Sequence, residues 1–322
     1  MKRLFIISAA LLLVIFPVPA QNSPGSTSTA KVAVIRGPSG IASAWMMAEP
    51  PAGAGVRFEF VTVAGADMVV AKLMNGEIEA GVLPVNVAAK LFNSGAPIRS
   101  LAVVGNGMVK FLTLDPSVRT LSDLKGKTIH IAGQKATPDY LFQYLCKKAG
   151  LILGQDYQAV YSLAYPEIAA GIAAGKLQYA VLPEPFATQA LMQNPAISTP
   201  VDLKAEWKAS TGLDDYPMSL LVARKQLVEL HPDAVRLILD RYRASITKTL
   251  DNPAITGKLA EALDLGVKAQ VAVSAIPVSN FTFIEAPAAR KSVEALLSVF
   301  IQFEPASVGG ALPADAFYAR IP

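Results

Sequence analysis

The sequence predicts an α/β fold of two similar lobes, each on a mostly parallel sheet, joined by two hinge crossings around a ligand cleft. Three observations lead there. Residues 56–93 reappear without a gap 99 positions further on, at 155–192. In the first copy Gly65-Ala66-Asp67-Met68-Val69 runs on to Asn75-Gly76-Glu77-Ile78-Glu79-Ala80-Gly81-Val82-Leu83-Pro84. In the second, Ala164-Tyr165-Pro166-Glu167-Ile168 runs on to Ala174-Gly175-Lys176-Leu177-Gln178-Tyr179-Ala180-Val181-Leu182-Pro183. That period exceeds the ~20–50 residues of a solenoid and fits two lobes of one architecture. Within each copy short apolar runs alternate with helical segments, the pattern of parallel strands joined by crossover helices. The chain, 322 residues long, can also bury two cores of this kind, and clefts between lobes are where ligands sit.

In chain order, residues 31–36 form an apolar run closed by Gly37-Pro38-Ser39-Gly40, a buried strand and a tight turn into a helix over 41–48. A strand is expected over 56–63, then a helix over 67–75 stopped by Gly76. A strand over 78–83 and a helix over 85–94 follow. Residues 98–104 and 108–114 read as two further strands split by Gly105-Asn106-Gly107. The pattern then restarts. Leu121-Ser122-Asp123-Leu124-Lys125-Gly126-Lys127 leads into a strand over 128–132. Thr137-Pro138-Asp139 opens a helix that runs to 149, with Thr as N-cap, Pro at the first helical position and Asp in the first turn. A strand over 156–161, a helix over 166–174, a strand over 179–182 and a helix from Glu184-Pro185 complete the second copy. Trp207 falls in a short helix or loop, and 218–223 is a last strand. From 224 the chain reads as nearly all helical, over 231–250, 255–263, 267–274 and 286–303. Residues 306–322 read as an extended tail packed by Phe317 and Tyr318. Lobe 1 is then 31–113 plus 218–322, and lobe 2 is 120–215. Crossings near 114–117 and 214–217 make a hinge that opens and closes around a ligand.

Residues 1–20 have the layout of a signal peptide: Lys2 and Arg3, an apolar stretch over 4–16, and Val18-Pro19-Ala20 ahead of a cut at Gln21. The apolar stretch is shorter than the ~20 residues that span a bilayer. Residues 21–30, rich in Ser, Thr and Gly, read as a leader to the first strand. The protein is therefore expected in a periplasm, and no cysteine follows the signal to carry a lipid. Removing Lys2 and Arg3 lowers the formal charge from +4 to +2. Without a basic run, nucleic acid is not an expected partner. Cys146 is the only cysteine, so no disulfide forms within one chain. It falls on the apolar face of Tyr140-Leu141-Phe142-Gln143-Tyr144-Leu145-Cys146 and reads as a buried thiol. Trp45, Met46 and Met47 read as core, His130 as structural, and His231 as a local helix-start residue ahead of Pro232-Asp233.

Three segments carry a family resemblance: Ser122-Asp123-Leu124-Lys125-Gly126-Lys127, Gly76-Glu77-Ile78-Glu79-Ala80 and Leu182-Pro183-Glu184-Pro185-Phe186. Together they resemble the nitrate/sulfonate/taurine family of ABC-transporter solute-binding proteins, which also holds binders of thiamine-pyrimidine precursors. The resemblance covers roughly 31–303. It implies the two-lobed type II periplasmic-binding-protein architecture, a small-molecule ligand in the cleft and delivery to an ABC permease; the protein is expected to act as a monomer without cofactor.

Open parallel sheets bind ligands beyond the carboxyl ends of their strands. Here those ends are the loops 36–40, 63–66, 84–86, 105–107, 133–139, 161–166 and 183–185, several of which feed helix N-termini whose free N–H groups hold anions or carbonyls. The candidate ligand-binding residues are Arg36, Ser39, Gly40, Pro84, Asn86, Asn106, Thr137, Asp139, Tyr161, Tyr165 and Glu184. Each has a plainer role open to it. Arg36 is a solvated charge, Ser39 and Gly40 serve the first helix, and Thr137 and Asp139 serve theirs. Tyr161 and Tyr165 cover a sheet edge, and Glu184 faces solvent.

Among function classes, a transport receptor without enzymatic activity leads. Relatives on the same fold make the thiamine pyrimidine or act in menaquinone synthesis. The pyrimidine-making branch uses a Cys/His-rich motif, which one cysteine and two distant histidines cannot supply. No Gly-x-Ser-x-Gly and no Walker loop occurs. A ligand-sensing module is the third class. The strand-end loops carry Arg36 and Lys135 as their cations, against several Tyr, Asn and Glu. That balance favours a flat heterocycle stacked on Tyr and held by Glu or Asn, with an alkylsulfonate or taurine as the alternative.

Overall fold

The computed structural model describes residues 28–322. The expected signal peptide and most of the leader lie outside the described residues. The leader's last three residues already belong to the first strand. That strand, β1 (Ser28–Ile35), leads through α1 (Pro38–Ala48) and the short β2 (Ala52–Gly53) to β3 (Val56–Val63), α2 (Ala66–Met74), β4 (Ala80–Pro84) and α3 (Val85–Asn93). Then come β5 (Ile98–Asn106) and β6 (Val109–Thr113). The pattern restarts with β7 (Thr128–Ile131), α4 (Thr137–Lys148), β8 (Gln158–Val160), α5 (Tyr165–Ala173), β9 (Tyr179–Pro183), α6 (Phe186–Gln193) and α7 (Leu203–Thr211). The chain ends with β10 (Pro217–Arg224), α8 (Lys225–Leu230), α9 (Pro232–Asp251), α10 (Pro253–Ala262), α11 (Ala269–Ala275), β11 (Phe281–Glu285) and α12 (Ala286–Phe303).

Shifted by 99 positions, α2 falls on α5 and β4 on β9, residue for residue. The correspondence extends further back than the sequence match does, because α1 shifts to 137–147, inside α4. The sheets agree as well. The larger runs β11-β5-β10-β4-β1-β3-β2, and the smaller β6-β9-β7-β8. In each, the first and second strands of the copy are neighbours, the third lies on the other side of the first, and an antiparallel strand lies beyond it: β10 in the larger sheet, β6 in the smaller. All five residues of β9, and all of β4 but Pro84, are buried, as expected of strands covered on both faces.

The strand expected over 108–114 departs from the lobe assigned to it. As β6 it pairs antiparallel with β9, Val109 opposite Pro183 and Thr113 opposite Tyr179. The first crossing is therefore at Gly107-Met108, between β5 and β6, and not near 114–117. A run of five residues, apolar but for Lys110 and Thr113, does not encode which sheet it joins, since either edge accepts it. The second departure is β11, an antiparallel edge strand on β5 within a stretch expected to be helical. Its alternation, Phe281-Thr282-Phe283-Ile284, is a strand signal in a helical neighbourhood.

The C-terminal helices cover the larger sheet. One core cluster joins β1, β3 and β10 to α1, α9 and α10 through Val32, Phe58, Leu221, Ile41, Ile238 and Ala260. On α12 the residues Ala286, Ala289, Val293, Leu296, Leu297 and Phe300 are buried, a helical stripe at three- and four-residue spacing. This stripe belongs to a second cluster that is continuous across the two lobes. Phe300 and Phe303 of α12 meet Tyr140 of α4 at 5.9 and 6.4 Å between ring centroids, and Phe303 meets Tyr144 at 6.2 Å. Cys146 is fully buried on α4, and burial pushes its thiol up to about 12, so it stays protonated. In the tail Phe317 packs on Phe92 at 5.2 Å.

Candidate functional site

The carboxyl ends of the parallel strands in both sheets face one another, and two of the contacts between the lobes lie there. The first joins the start of α3 to the start of α4. Asn86, 1% exposed, donates from Nδ2 to the carbonyls of Lys135 (2.9 Å) and Ser307 (3.2 Å). Its Oδ1 accepts from the Thr137 hydroxyl at 2.9 Å. Thr137 was expected to cap its helix. It is instead the first residue of α4, Ala136 occupies the cap position, and the Thr137 hydroxyl is spent across the cleft. The second contact sets Gly37, ahead of α1, under the ring of Phe186 at the start of α6. A β-carbon at Gly37 would lie 2.9 Å from that ring, and its φ of +103° is open to glycine alone at little cost.

Behind the first contact sits a carboxylate. Asp139 is fully buried. It accepts the Lys135 backbone N–H (2.7 Å) on one oxygen, and Gln143 Nε2 (2.7 Å) and the Tyr161 hydroxyl (2.9 Å) on the other. Burial, and then the negative charge of Asp139, holds the Tyr161 and Tyr165 phenols above their ordinary range, so both are neutral donors at physiological pH. Tyr165 is stacked on Phe186, 5.6 Å between centroids and 19° between planes. It therefore braces the start of α6 with one face.

Glu184 lies where β9 turns into α6, and a cis peptide joins it to Pro185. It was expected in the first turn of the helix, at a cleft edge. It stands two residues ahead of α6 and is fully buried. The Thr188 N–H donates to Oε2 at 3.0 Å, which satisfies one free donor of the helix start. Oε1 has no hydrogen-bond partner. Lys110 Nζ lies 3.4 Å from it, within ion-pair reach but outside hydrogen-bonding geometry. Lys110 is the residue that sequence reasoning missed. Its strand was assigned to the other lobe, where a lysine at 110 would have no relation to Glu184.

The remaining candidates divide clearly. Arg36 donates to the carboxylate and carbonyl of Asp264 (2.6 and 3.2 Å), an exposed pairing within its own lobe. The Ser39 hydroxyl accepts the Ile35 N–H (3.0 Å) and donates to the Ile35 carbonyl (2.8 Å), so it ties the turn into α1. Gly40 is packed against Leu265. Pro84 occupies the cap position of α3 opposite Ser219. Asn106 ends β5 beside the crossing, where its N–H donates to the Asn280 carbonyl at 3.1 Å. The structure thus brings Asn86, Thr137, Asp139, Tyr161, Tyr165 and Glu184 to the facing sheet ends. It places Arg36 and Ser39 in bonds of their own lobe. A recess of about 190 Å³ lies elsewhere, at the amino ends of the larger sheet, lined by Thr29, Glu79, Arg224 and His231. The facing carboxyl ends are the better site on topological grounds. Among the described residues no three His, Cys, Asp or Glu side chains gather as metal ligands.

Comparison with known proteins agrees with this layout. The family model described as the NMT1-like family matches residues 29–264. The crystal structure of an ABC transporter from Parabacteroides distasonis superimposes with a TM-score of 0.74 at 26% identity, covering 91% of this chain and 99% of that one. The periplasmic aliphatic sulphonate binding protein SsuA of Escherichia coli shares the fold at 17% identity and a TM-score of 0.66, over 92% and 91% of the two chains. The periplasmic nitrate-binding protein NrtA of Synechocystis PCC 6803 does so at 15% and 0.65, over 88% and 83%. No curated protein matches the sequence. The chain belongs to the NMT1-like family, and the resemblance to nitrate- and sulfonate-type binding proteins read from its three segments holds.

Proposed function

From that membership we propose that this protein is the extracytoplasmic solute-binding component of an ABC importer. It takes a small organic ligand between its lobes and presents it, as a periplasmic monomer, to a permease. The observation that carries the reading is the buried polar set at the facing sheet ends, above all the Glu184 oxygen left without a hydrogen bond. A fully buried carboxylate oxygen in that state is costly, and a ligand N–H relieves the cost. The preferred ligand is a flat nitrogen-bearing heterocycle, donating to Glu184 and bounded by Tyr161 and Tyr165. The second reading, an alkylsulfonate or taurine, is supported by the Lys110 ammonium beside the helix start.

The test uses three probes on the mature protein: an aminopyrimidine, taurine and a linear alkylsulfonate. Thermal shift and small-angle scattering are read together. One class is expected to raise the melting temperature and reduce the radius of gyration, and to be recovered unchanged by mass. A probe that binds and is turned over beyond stoichiometry would move the assignment to an enzyme on this fold.

A further inference from the structure

We propose that Asp215 is the positioning residue of the hinge: one carboxylate ties both inter-lobe crossings and each lobe together, and so fixes the angle at which the facing sheet ends meet. Oδ1 accepts the backbone N–H of Gly107 at 3.1 Å, in the first crossing, and that of Tyr216 at 2.8 Å, in the second. Oδ2 accepts Asn280 Nδ2 at 2.8 Å, from the loop that enters β11 of the larger sheet. It also accepts Lys204 Nζ at 2.8 Å, from α7, which packs on the smaller lobe. Four donors from four segments converge on one side chain.

The surroundings are shaped to this carboxylate. Asn280 Nδ2 donates again to the Gly107 carbonyl at 3.1 Å, so both backbone polar groups of Gly107 are held. Asn280 itself has a φ of +48°, a left-handed backbone that asparagine tolerates better than most residues. A β-carbon at Gly107 would stand 2.8 Å from Asp215 Oδ1 and 2.8 Å from the Tyr216 ring, so only glycine admits the clasp. Tyr216 in turn packs on Trp207, 5.4 Å between centroids, which packs on Tyr144 at 5.8 Å. The clasp thus stands at one end of the aromatic seam that joins the lobes.

Charge-assisted bonds of this kind are stronger than neutral ones, and networks of them rigidify the segments they join. A hinge needs rigid members either side of a short pivot. Asp215 touches no candidate ligand residue except through Asn106, whose N–H bonds the Asn280 carbonyl. It acts on binding through geometry alone. The consequence for binding rests on the solute-binding reading above, but the clasp itself is tested without ligand.

Spin labels at Met68→Cys and Ala170→Cys, on the exposed faces of α2 and α5, report the distance between the lobes in the mature chain. Cys146 is buried and does not react. The parent is expected to give one narrow distance distribution, and Asp215→Ala a broader one with a longer mean. Where Asp215→Ala does not fold, two arms are cut singly. Lys204→Met removes the smaller lobe's donor, and Asn280→Gly removes the larger lobe's amide while keeping the left-handed backbone. Each is expected to broaden the distribution less than Asp215→Ala. An unchanged distribution in both single-arm variants, or a loss of melting temperature with no change of distance, overturns the proposal. Because no ligand is present, neither result bears on whether the cleft binds a solute.

Discussion

The two copies of the repeat end differently. In the first, β4 passes straight into α3, and the residue after Pro84 is Val85, fully buried and apolar. In the second, the residue after Pro183 is Glu184, equally buried but a carboxylate, and α6 begins two residues later. The helix and strand leading into this junction match by number, α2 with α5 and β4 with β9, so the shared fold asks only for a buried side chain here. Valine meets that demand. The glutamate, with Lys110 brought beside it from the neighbouring strand, is an addition to the architecture, and such additions mark where a protein differs from its own scaffold. A second departure lies at the other end of the same strand, where Ala80 in the first copy corresponds to Tyr179 in the second.

Exchange of the junction residues breaks the comparison most severely in one direction. Val85→Glu places a carboxylate in a fully buried position of an apolar core cluster, and should cost about 3–5 kcal/mol of stability, the order of an uncompensated buried charge. Urea denaturation checks it; a loss under ~1 kcal/mol would mean that the first junction also tolerates charge.

The pair Lys110–Glu184 is unequal, and this sharpens the comparison. Lys110 has a side chain 35% exposed, whereas Glu184 has none of it exposed. Lys110→Met strands a buried carboxylate and should cost about 1–3 kcal/mol. Glu184→Val leaves a lysine that water can reach and restores the first copy's residue, so its cost should be smaller. Equal losses in the two variants would contradict the asymmetry.

Gly37→Ala tests whether the junction of the second copy docks on the first lobe as described. The added methyl meets the Phe186 ring and is forced to a left-handed φ, for a loss of roughly 1 kcal/mol or more. In a Phe186→Ala background, itself destabilised by the loss of a buried ring, the added cost of Gly37→Ala should shrink to its backbone part. An equal cost of Gly37→Ala in the two backgrounds would place the whole effect in the backbone.

The smallest effect is at Tyr179. Its hydroxyl and the Lys127 ammonium (3.1 Å) bind Asp115, with Ser117 on the other oxygen. The Ser117 and Tyr179 bonds hold that carboxyl well below the usual range. A carboxyl depressed in the folded state stabilises above its ordinary value near pH 4 and loses this as pH falls through the folded value. Tyr179→Phe removes one of the bonds and brings the folded value nearer the ordinary one, so the variant should lose less stability below pH 4 than the parent and stop losing it at a higher pH. Coincident curves below pH 4 would show that Tyr179 plays no part.

Much of the fold was readable because the repeat checks itself. A boundary proposed at Gly76 is confirmed at Gly175, and α12 was placed at both ends. Strand partnership was not readable. Residues 108–114 form a strand as expected, but the choice of sheet depends on contacts made after the chain has crossed. That one error hid Lys110 and moved the first crossing. At the site, Asn86 and Thr137 were found because strand ends and helix starts are visible in sequence, yet their bond to each other is not, since it joins residues 51 positions apart in different lobes. Ser39 and Arg36 carry suitable chemistry, but local geometry consumes it. No composition signal distinguishes a hydroxyl that serves its own turn from one that serves a ligand.

The central claim is that the Glu184 junction is where a ligand is held. Native mass spectrometry of the protein purified from the cell envelope, as parent and as Glu184→Gln, tests it most directly. The parent should carry a small-molecule adduct that denaturation releases. The charge-assisted bond is worth ~1.5–3 kcal/mol, so the variant should hold the same molecule roughly ten- to a hundredfold more weakly and lose it on dilution, with its melting curve little changed. A variant that retains the adduct to the same dilution as the parent would remove Glu184 from the site and, with it, the preference for a nitrogen-bearing ligand.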